Sequence, residues 1–340
     1  MQAEKTKDKR ALTSKDFKSD QAVRWCPGCG DYMILAIMQK AFTQMDNAKE
    51  NFLSVSGIGC SSRITYYLET YGIHSIHGRA ISVATGAKLA NPDLNVWVFT
   101  GDGDCMAIGG NHFIHACRRN VNLNIIIFNN KIYGMTKGQS SPTTPAGVKT
   151  KTAPEGSYEN PFNIGEVAIG AGATFFARVP DNNPKLMEDV MMQAYHHKGT
   201  SVIEVLQNCV IFTDGIHEKI TGRDTKDDNQ IILEHGKPMI FGKEENRGLK
   251  INGMRLEKTV FENGTDDSLN HDAEEIDPLL HLALSKLHLP DYPVAMGVIR
   301  KVKSTPFEER VHSAIASVKK QNKIKNTDQL FRSGNTWQIE

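Results

Sequence analysis

Two wholly apolar runs, each closed by a polar turn, constrain this chain more than anything else in it. "NVWVFT" runs into Gly101-Asp102-Gly103-Asp104, and "NLNIIIFNN" ends in Asn129 and Asn130. A strand that reads as an unbroken apolar run is buried on both faces, as in a parallel sheet covered by helices. Between the two, "MAIGGNHFIHACRRN" reads as a helix. Upstream, Met33 to Phe42 has helical spacing, and "FLSVSGIGC" is a strand ending in a glycine turn at Gly57 and Gly59. "GRAISVATGAKLANP" is a helix closed by Asn91-Pro92. The stretch "GQSSPTTPAGVKTKTAPEGSYENP" lacks apolar periodicity and reads as a long loop, a length that is often functional. The α/β pattern then resumes with "NIGEVAIGAG", "ATFFARV", "NPKLMEDVMMQAYHHKG" and "TSVIEVL". The sequence therefore predicts an α/β fold with a mostly parallel central sheet.

At 340 residues and 39% hydrophobic content, the chain can bury one large α/β domain with elaborations, or two domains. The expected organisation is a flexible arm over residues 1–20, an α/β domain over 21–215 and a peripheral C-terminal extension over 216–340. That extension is charged and irregular, with hairpin-like pieces, one helix near "DPLLHLALSKLH" and poor order over the last 20 residues. Lys plus Arg total 40 against 39 Asp plus Glu, a net charge of +1, which gives no electrostatic case for nucleic acid or an anionic membrane. The N-terminal "MQAEKTKDKRALTSKDFKSD" lacks the apolar core of a secretory signal, and no segment has the roughly 18 apolar residues of a membrane span. A cytoplasmic protein is expected. In that reducing compartment, six cysteines point to metal, redox work or burial rather than structural disulfides.

The acidic turn stands where open α/β sheets bind ligands, at the carboxyl end of a strand. A carboxylate there repels a bare phosphate but accepts one bridged by a divalent cation. Asn129 and Asn130 follow Asp102 by 27 and 28 residues and reach the same edge. One carboxylate, one amide oxygen, a backbone carbonyl, a water and two phosphate oxygens make an octahedron suited to Mg²⁺. Diphosphate is the natural third party, and a helix starting near Met106 offers its N-terminal amides to it. Alone, Gly-Asp-Gly is more often a surface turn, and asparagine pairs end strands without ligands. Together, in this spacing, they are a stronger signal.

Four cysteines form a second constellation. Cys26 and Cys29 share a Cys-Pro-Gly-Cys turn, Cys60 lies in "GIGCSS" and Cys209 in "LQNCVIF", the last two after expected strands. A local pair with two distant singles can enclose Zn²⁺ or a [4Fe–4S] cluster. A thioredoxin-like dithiol should open a helix after a strand, and the pattern here does not provide that. Cys105 and Cys117 read as small core residues.

The acidic turn and double asparagine resemble the thiamine diphosphate motif. With the cysteines, they resemble the beta subunit of 2-oxoacid:ferredoxin oxidoreductases. The resemblance covers roughly residues 20–240 and includes "HSIHGRAISVATGAKLA" and "YGMTKGQSSPTT", with Lys137 standing where that family usually has glycine. It implies the diphosphate-binding half of a thiamine diphosphate fold, with the extension peripheral to it. It also implies Mg²⁺ on Asp102, Asn130 and the carbonyl of Ile132, and a [4Fe–4S] cluster on Cys26, Cys29, Cys60 and Cys209. Gly59, Ser61, Ser62, His77, Gly78, Gly101 and Gly103 would contact the cofactor, with Gly134, Met135 and Thr136 beyond the asparagines. Asp104 and Cys105 would approach the diphosphate through backbone groups. Arg63, His77 and Arg79 are the catalytic candidates: Arg63 suits the substrate carboxylate and His77 the diphosphate. Surface ion pairs for the arginines and a core role for His77 are the alternatives. His74 reads as structural, and Gln139 as shaping the pocket with Thr136.

The implied activity is coenzyme A-dependent oxidative decarboxylation of a 2-oxoacid with reduction of ferredoxin. The extension points to 2-oxoglutarate giving succinyl-CoA. Pyruvate or branched-chain acids, a non-redox thiamine enzyme and a zinc-stapled scaffold remain the alternatives. No glutamate can be assigned to the aminopyrimidine, so it is expected on an alpha subunit, without which this chain would be inactive. Pairing of two αβ units stays open.

Overall fold

The structure, a computed structural model, describes residues 11–253, 255–261, 268–321, 324, 326–335, 337 and 339. Its strands are β1 (Phe52–Ser56), β2 (Tyr71–His74), β3 (Asn95–Gly101), β4 (Asn124–Asn129), β5 (Phe175–Pro180) and β6 (Ser201–Leu206). The extension adds β7 (Gln230–Leu233), β8 (Ile240–Phe241), β9 (Arg247–Asn252), β10 (Arg255–Val260) and β11 (Val294–Lys301). Eight of these form one sheet in the order β2-β1-β3-β4-β6-β5-β11-β7. The first six run parallel, and β11 meets β5 antiparallel. A small antiparallel sheet, β10-β9-β8, lies within the extension.

The longer helices, in chain order, are α1 (Asp31–Gln44), α2 (Ala80–Ala90), α3 (Gly110–Arg119), α4 (Ile164–Gly170), α5 (Pro184–His196), α6 (Leu279–Lys286) and α7 (Phe307–Gln321). They explain why the apolar runs carry no polar alternation. Along β4, Ile125 and Ile127 pack with Ala84 of α2, Phe113 of α3 and Ile164 of α4. The intervening Ile126 and Phe128 pack with Ile34 and Met38 of α1 and Val190 of α5. β3 divides likewise, Val96 and Val98 to one core and Trp97 and Phe99 to the other.

Four parts of the sequence reading meet a different structure. The helix expected over "MAIGGNHFIHACRRN" is broken: a short helix spans Asp102–Met106, and α3 starts at Gly110. Gly109-Gly110 favours a break there, because glycine costs a helix about 1 kcal/mol relative to alanine. The acidic turn is thus itself the first turn of a helix. Residues 1–10 of the expected arm lie outside the described residues, but the rest packs down, with Phe17 fully buried between Phe42 and Phe52. The last 20 residues are only partly described, and that part includes a short helix, Thr327–Phe331. The extension is continuous with the main sheet, to which it contributes β7 and β11.

Because β4 is central and carries the asparagine pair, its packing bears on both fold and site. Replacing the fully buried Ile127 by Ala should destabilise the protein by about 2–5 kcal/mol. In urea the midpoint should fall while the slope stays unchanged.

Candidate functional site

β1, β3 and β4 are neighbours, and their carboxyl ends open onto a cavity of about 650 Å³. Ile58, Gly59, Cys60 and Ser61 reach it from β1, Gly101 to Asp104 from β3, and Asn130 with Ile132 to Thr136 from β4. His77 lines it just ahead of α2, while Gln139, Ser140 and Thr152 come from the long loop.

The two aspartates of the acidic turn are both 2% exposed, yet they do different things. Asp102 Oδ2 accepts hydrogen bonds from Ser141 Oγ at 2.6 Å and Thr143 Oγ1 at 2.5 Å. Burial pushes its carboxyl up to about 6, against the pull of those two hydroxyls. Asp104 instead fastens the loops around the cavity with its side chain. Its Oδ1 accepts from Gly78 N at 2.7 Å, His77 Nδ1 at 2.7 Å and Ile58 N at 3.1 Å, and its Oδ2 from Thr100 Oγ1 at 2.7 Å. Because the carboxylate accepts, His77 carries its proton on Nδ1 and turns Nε2 elsewhere. Gly78 must be glycine: its φ is +70°, and a Cβ would stand 2.6 Å from Gly109 N. Gly103 is fixed by Tyr133, whose ring would lie 2.2 Å from a Cβ there and whose hydroxyl donates to Gly103 O at 3.0 Å.

The asparagines also divide their work. Asn130 lines the cavity and accepts from Ile132 N at 3.2 Å, closing a turn around Lys131, whose φ is +58°. Asn129 is buried and points under the cavity instead. A buried carboxylate, an amide oxygen and the Ile132 segment on one wall form the oxygen-rich donor set that a Mg²⁺–diphosphate needs.

Most expected cofactor contacts line the cavity: Gly59, Ser61, His77, Gly101, Asp102, Gly103, Asp104, Asn130, Ile132, Gly134, Met135 and Thr136. Others stand behind or beside it. Ser62 and Cys105 are buried and do not line it, and Gly78 touches it only through the Asp104 bond. Arg79 donates to His112 Nε2 at 2.8 Å, outside the cavity. Arg63 faces the cysteines, its Nε donating to Tyr67 Oη at 2.9 Å. Ser141, Thr143 and Tyr133 were not singled out from the sequence. The hydroxyl-rich "SSPTT" was the available signal for the first two, since a buried carboxylate needs such donors.

A second cavity, of about 240 Å³, is lined by Cys26, Cys29, Cys60 and Cys209 together with Asp31 and Arg63. The Cys-Pro-Gly-Cys turn reaches it because Gly30 N donates to Asn208 O at 3.3 Å, beside Cys209. All four thiols are free. Burial, with Asp31 and Cys209 nearby, pushes the Cys60 thiol up to about 12 and that of Cys29 higher still. Among the described residues, no three metal-ligating side chains approach closely enough to hold a single ion. Cys60, Asn130, Gly134 and Met135 line both cavities, so the two share a wall.

Residues 57–205 match the family described as thiamine pyrophosphate enzyme, C-terminal TPP binding domain. Every residue that lines the first cavity falls within this stretch. Replacing Asp104 by Ala removes four hydrogen bonds to a charged acceptor, each worth about 1.5–3 kcal/mol. Thiamine diphosphate binding, read by calorimetry on the assembled protein, should weaken at least about a hundredfold. Asp104→Asn keeps the Oδ1 acceptor and should lose only about tenfold.

The chain is 44% identical over 308 residues, 90% of its length, to the 2-oxoglutarate oxidoreductase subunit KorB of Mycobacterium tuberculosis, and covers 82% of that protein. It is 44% identical over 199 residues to subunit beta of 2-oxoacid:ferredoxin oxidoreductase 2 of Aeropyrum pernix, covering 58% of this chain and 64% of that one. A chain of the 2-oxoglutarate:ferredoxin oxidoreductase of Magnetococcus marinus, solved with 2-oxoglutarate, coenzyme A and succinyl-CoA bound, superposes with a TM-score of 0.77. That match is 29% identical and covers 96% of this chain and 97% of the other. With a thiamine pyrophosphate-binding domain over residues 57–205 and this likeness along nearly its whole length, the chain belongs to the family of 2-oxoacid:ferredoxin oxidoreductase beta subunits.

Proposed function

We propose that this beta subunit, assembled with an alpha subunit, oxidatively decarboxylates 2-oxoglutarate to succinyl-CoA and passes the electrons to ferredoxin. The observation that carries the reading is the shared wall: the four-cysteine cavity and the cofactor cavity have Cys60, Asn130, Gly134 and Met135 in common. A decarboxylase without a redox step has no use for four thiols there. Thiolates spread around some 240 Å³ suit a [4Fe–4S] cluster better than one zinc, whose bonds to sulfur reach only about 2.3 Å.

When bound, thiamine diphosphate supplies the nucleophilic carbon for decarboxylation, and the cluster takes up electrons one at a time. This chain's own residues bind and orient. Asp102, Asn130 and the Ile132 carbonyl would hold Mg²⁺ for the diphosphate, and Ser141 and Thr143 aim the Asp102 carboxylate. Asp104 holds His77 and the Gly78 amide at the cavity edge. Arg63 places a positive charge beside the cysteines and offsets part of the negative charge of a thiolate-bound cluster. The naming of relatives as subunits supports a partner chain, which in this reading supplies the glutamate for the aminopyrimidine. The reading keeps the chain in the cytoplasm, where its cysteines stay reduced; among the described residues no helix is long and apolar enough to cross a membrane.

For the substrate, Lys137 is the informative residue. Its φ is +77°, a left-handed conformation that costs a side-chain-bearing residue about 1–2 kcal/mol and costs glycine nothing. It is exposed between Thr136 and Gln139, which line the cavity. A cation held there at a conformational cost suits a substrate with a second carboxylate. In the assembled enzyme, Lys137→Gly keeps the turn and should raise KM for 2-oxoglutarate about tenfold, leaving KM for a monocarboxylic 2-oxoacid within about twofold. Equal effects on both acids would remove the assignment of 2-oxoglutarate.

The cluster is tested separately. Protein purified without oxygen together with its alpha subunit should contain about four iron and four sulfide per chain, falling sharply in Cys209→Ser. One zinc, or no metal, in protein that still binds thiamine diphosphate would leave a non-redox thiamine enzyme or a stapled scaffold.

A further inference from the structure

Two charged side chains sit in the middle of apolar strands, beneath the turn that carries the asparagines. Arg178 of β5 and Glu204 of β6 are paired in register and are 5% and 4% exposed. Arg178 Nε donates to Glu204 Oε2 at 2.7 Å. A buried ion pair of this kind adds no net stability over well-packed apolar residues of the same volume. Its presence in the sheet interior calls for another reason.

The second oxygen of Glu204 suggests one. Glu204 Oε1 accepts from Asn129 Nδ2 at 2.7 Å. A carboxylate can only accept, so Asn129 must turn its NH₂ towards Glu204 and its Oδ1 the other way. There Oδ1 lies 3.1 Å from Thr143 Oγ1, whose single proton is donated to Asp102 Oδ2 at 2.5 Å and shared with Oδ1 as a second, weaker acceptor. Lys131, in the turn just after the asparagines, adds positive charge near both Glu204 and Asp102. On the other side, the Arg178 guanidinium reaches Ala295 O of β11 at 3.5 Å and Ser285 O of α6 at 3.4 Å. A continuous chain of buried polar contacts thus runs from the C-terminal extension to the acidic turn.

We propose that Glu204 is a positioning residue for the metal half-site: it fixes the Asn129 amide, and through it the Thr143 hydroxyl and the Asp102 carboxylate, with Arg178 anchoring it to the extension. This rests on the reading that Asp102 holds a divalent cation on the diphosphate. Partners one step behind a metal ligand typically change metal affinity 10- to 100-fold when removed. Glutamine at 204 could face Asn129 with either its oxygen or its nitrogen, so the amide would lose its enforced orientation. The Arg178 anchor gives the extension, which does not itself line the cavity, a part in the chemistry.

The test uses the enzyme assembled with its alpha subunit and measures the Mg²⁺ concentration that half-saturates thiamine diphosphate binding, followed by fluorescence quenching. Glu204→Gln should raise that midpoint about tenfold, with iron content and KM for 2-oxoglutarate as in the wild type. A purely structural role would instead lower the melting temperature and leave the Mg²⁺ midpoint of the folded fraction in place, which would overturn the proposal. Should Glu204→Gln not fold, Asn129→Leu leaves the Arg178–Glu204 pair whole and should give the same tenfold shift; a wild-type midpoint there would also overturn it. If the wild-type enzyme itself bound thiamine diphosphate without regard to Mg²⁺, the reading of the half-site would fall. Unshifted variants against a Mg²⁺-dependent wild type would remove this proposal alone.

Discussion

A parallel sheet covered by helices on both faces sends most polar groups to the ends of its strands. In this chain β1, β3, β4 and β6 stop side by side at Ser56, Gly101, Asn129 and Leu206. Each loop that leaves them starts within reach of the next. The glycine turn with Cys60, the acidic turn, the asparagine pair and Cys209 therefore meet at one rim, although they are spread over some 150 residues of sequence. The apolar runs and the polar turns that end them are two sides of the same constraint: what cannot be placed in the sheet collects at its edge.

Within that rim, two carboxylates only two residues apart have been given separate duties by their hydrogen-bond partners. Asp104 is surrounded by two backbone amides, an imidazole N–H and a hydroxyl, so its capacity as an acceptor is spent on holding loops. Asp102 meets only hydroxyls at Oδ2, and burial raises it towards neutrality, as for a carboxylate that still lacks a full counter-charge. A divalent cation would supply that charge. The same logic separates the asparagines: strand alternation sends Asn130 to the cavity and Asn129 beneath it.

The legible parts of the sequence were those where chemistry and periodicity agree. Strand runs such as "NIIIFN" have no polar alternation because both faces are covered, and the cysteines and asparagines stand directly at their ends. β2 escaped notice because its four residues are all exposed, so no apolar pattern marks "YGIH" as a strand. β11 escaped because "VAMGVIRK" holds Gly297 at φ +88° beside an irregular register against β5, a signal that reads as loop. Arg63 illustrates a different limit. Its position three residues after Cys60 fits either cavity equally well, and only the packing of Tyr66 and Tyr67 around the guanidinium decides that it faces the cysteines. Arg178 and Glu204 were invisible as a pair because strand register, not sequence distance, brings them together.

The wall between the two cavities owes its thinness to a missing side chain. A Cβ at Gly134 would stand 3.6 Å from Cys209 Sγ and 3.9 Å from Cys60 Sγ, in ordinary contact, while the same residue lines the cofactor cavity on its other face. One segment then couples the two sides. Cys209 O accepts from Thr213 N, Thr213 Oγ1 donates to Asn130 O at 2.9 Å, and His217 Nε2 donates to Asn129 O at 2.9 Å. Burial holds His217 neutral, its ring pushed down to about 4, so this donor does not change with pH in the physiological range. Nine residues thus carry the fourth thiol at one end and hold both asparagine carbonyls along their length. A displacement of the cysteine loop must move the turn that faces the first cavity, so these bonds hold the two cavities at a fixed separation.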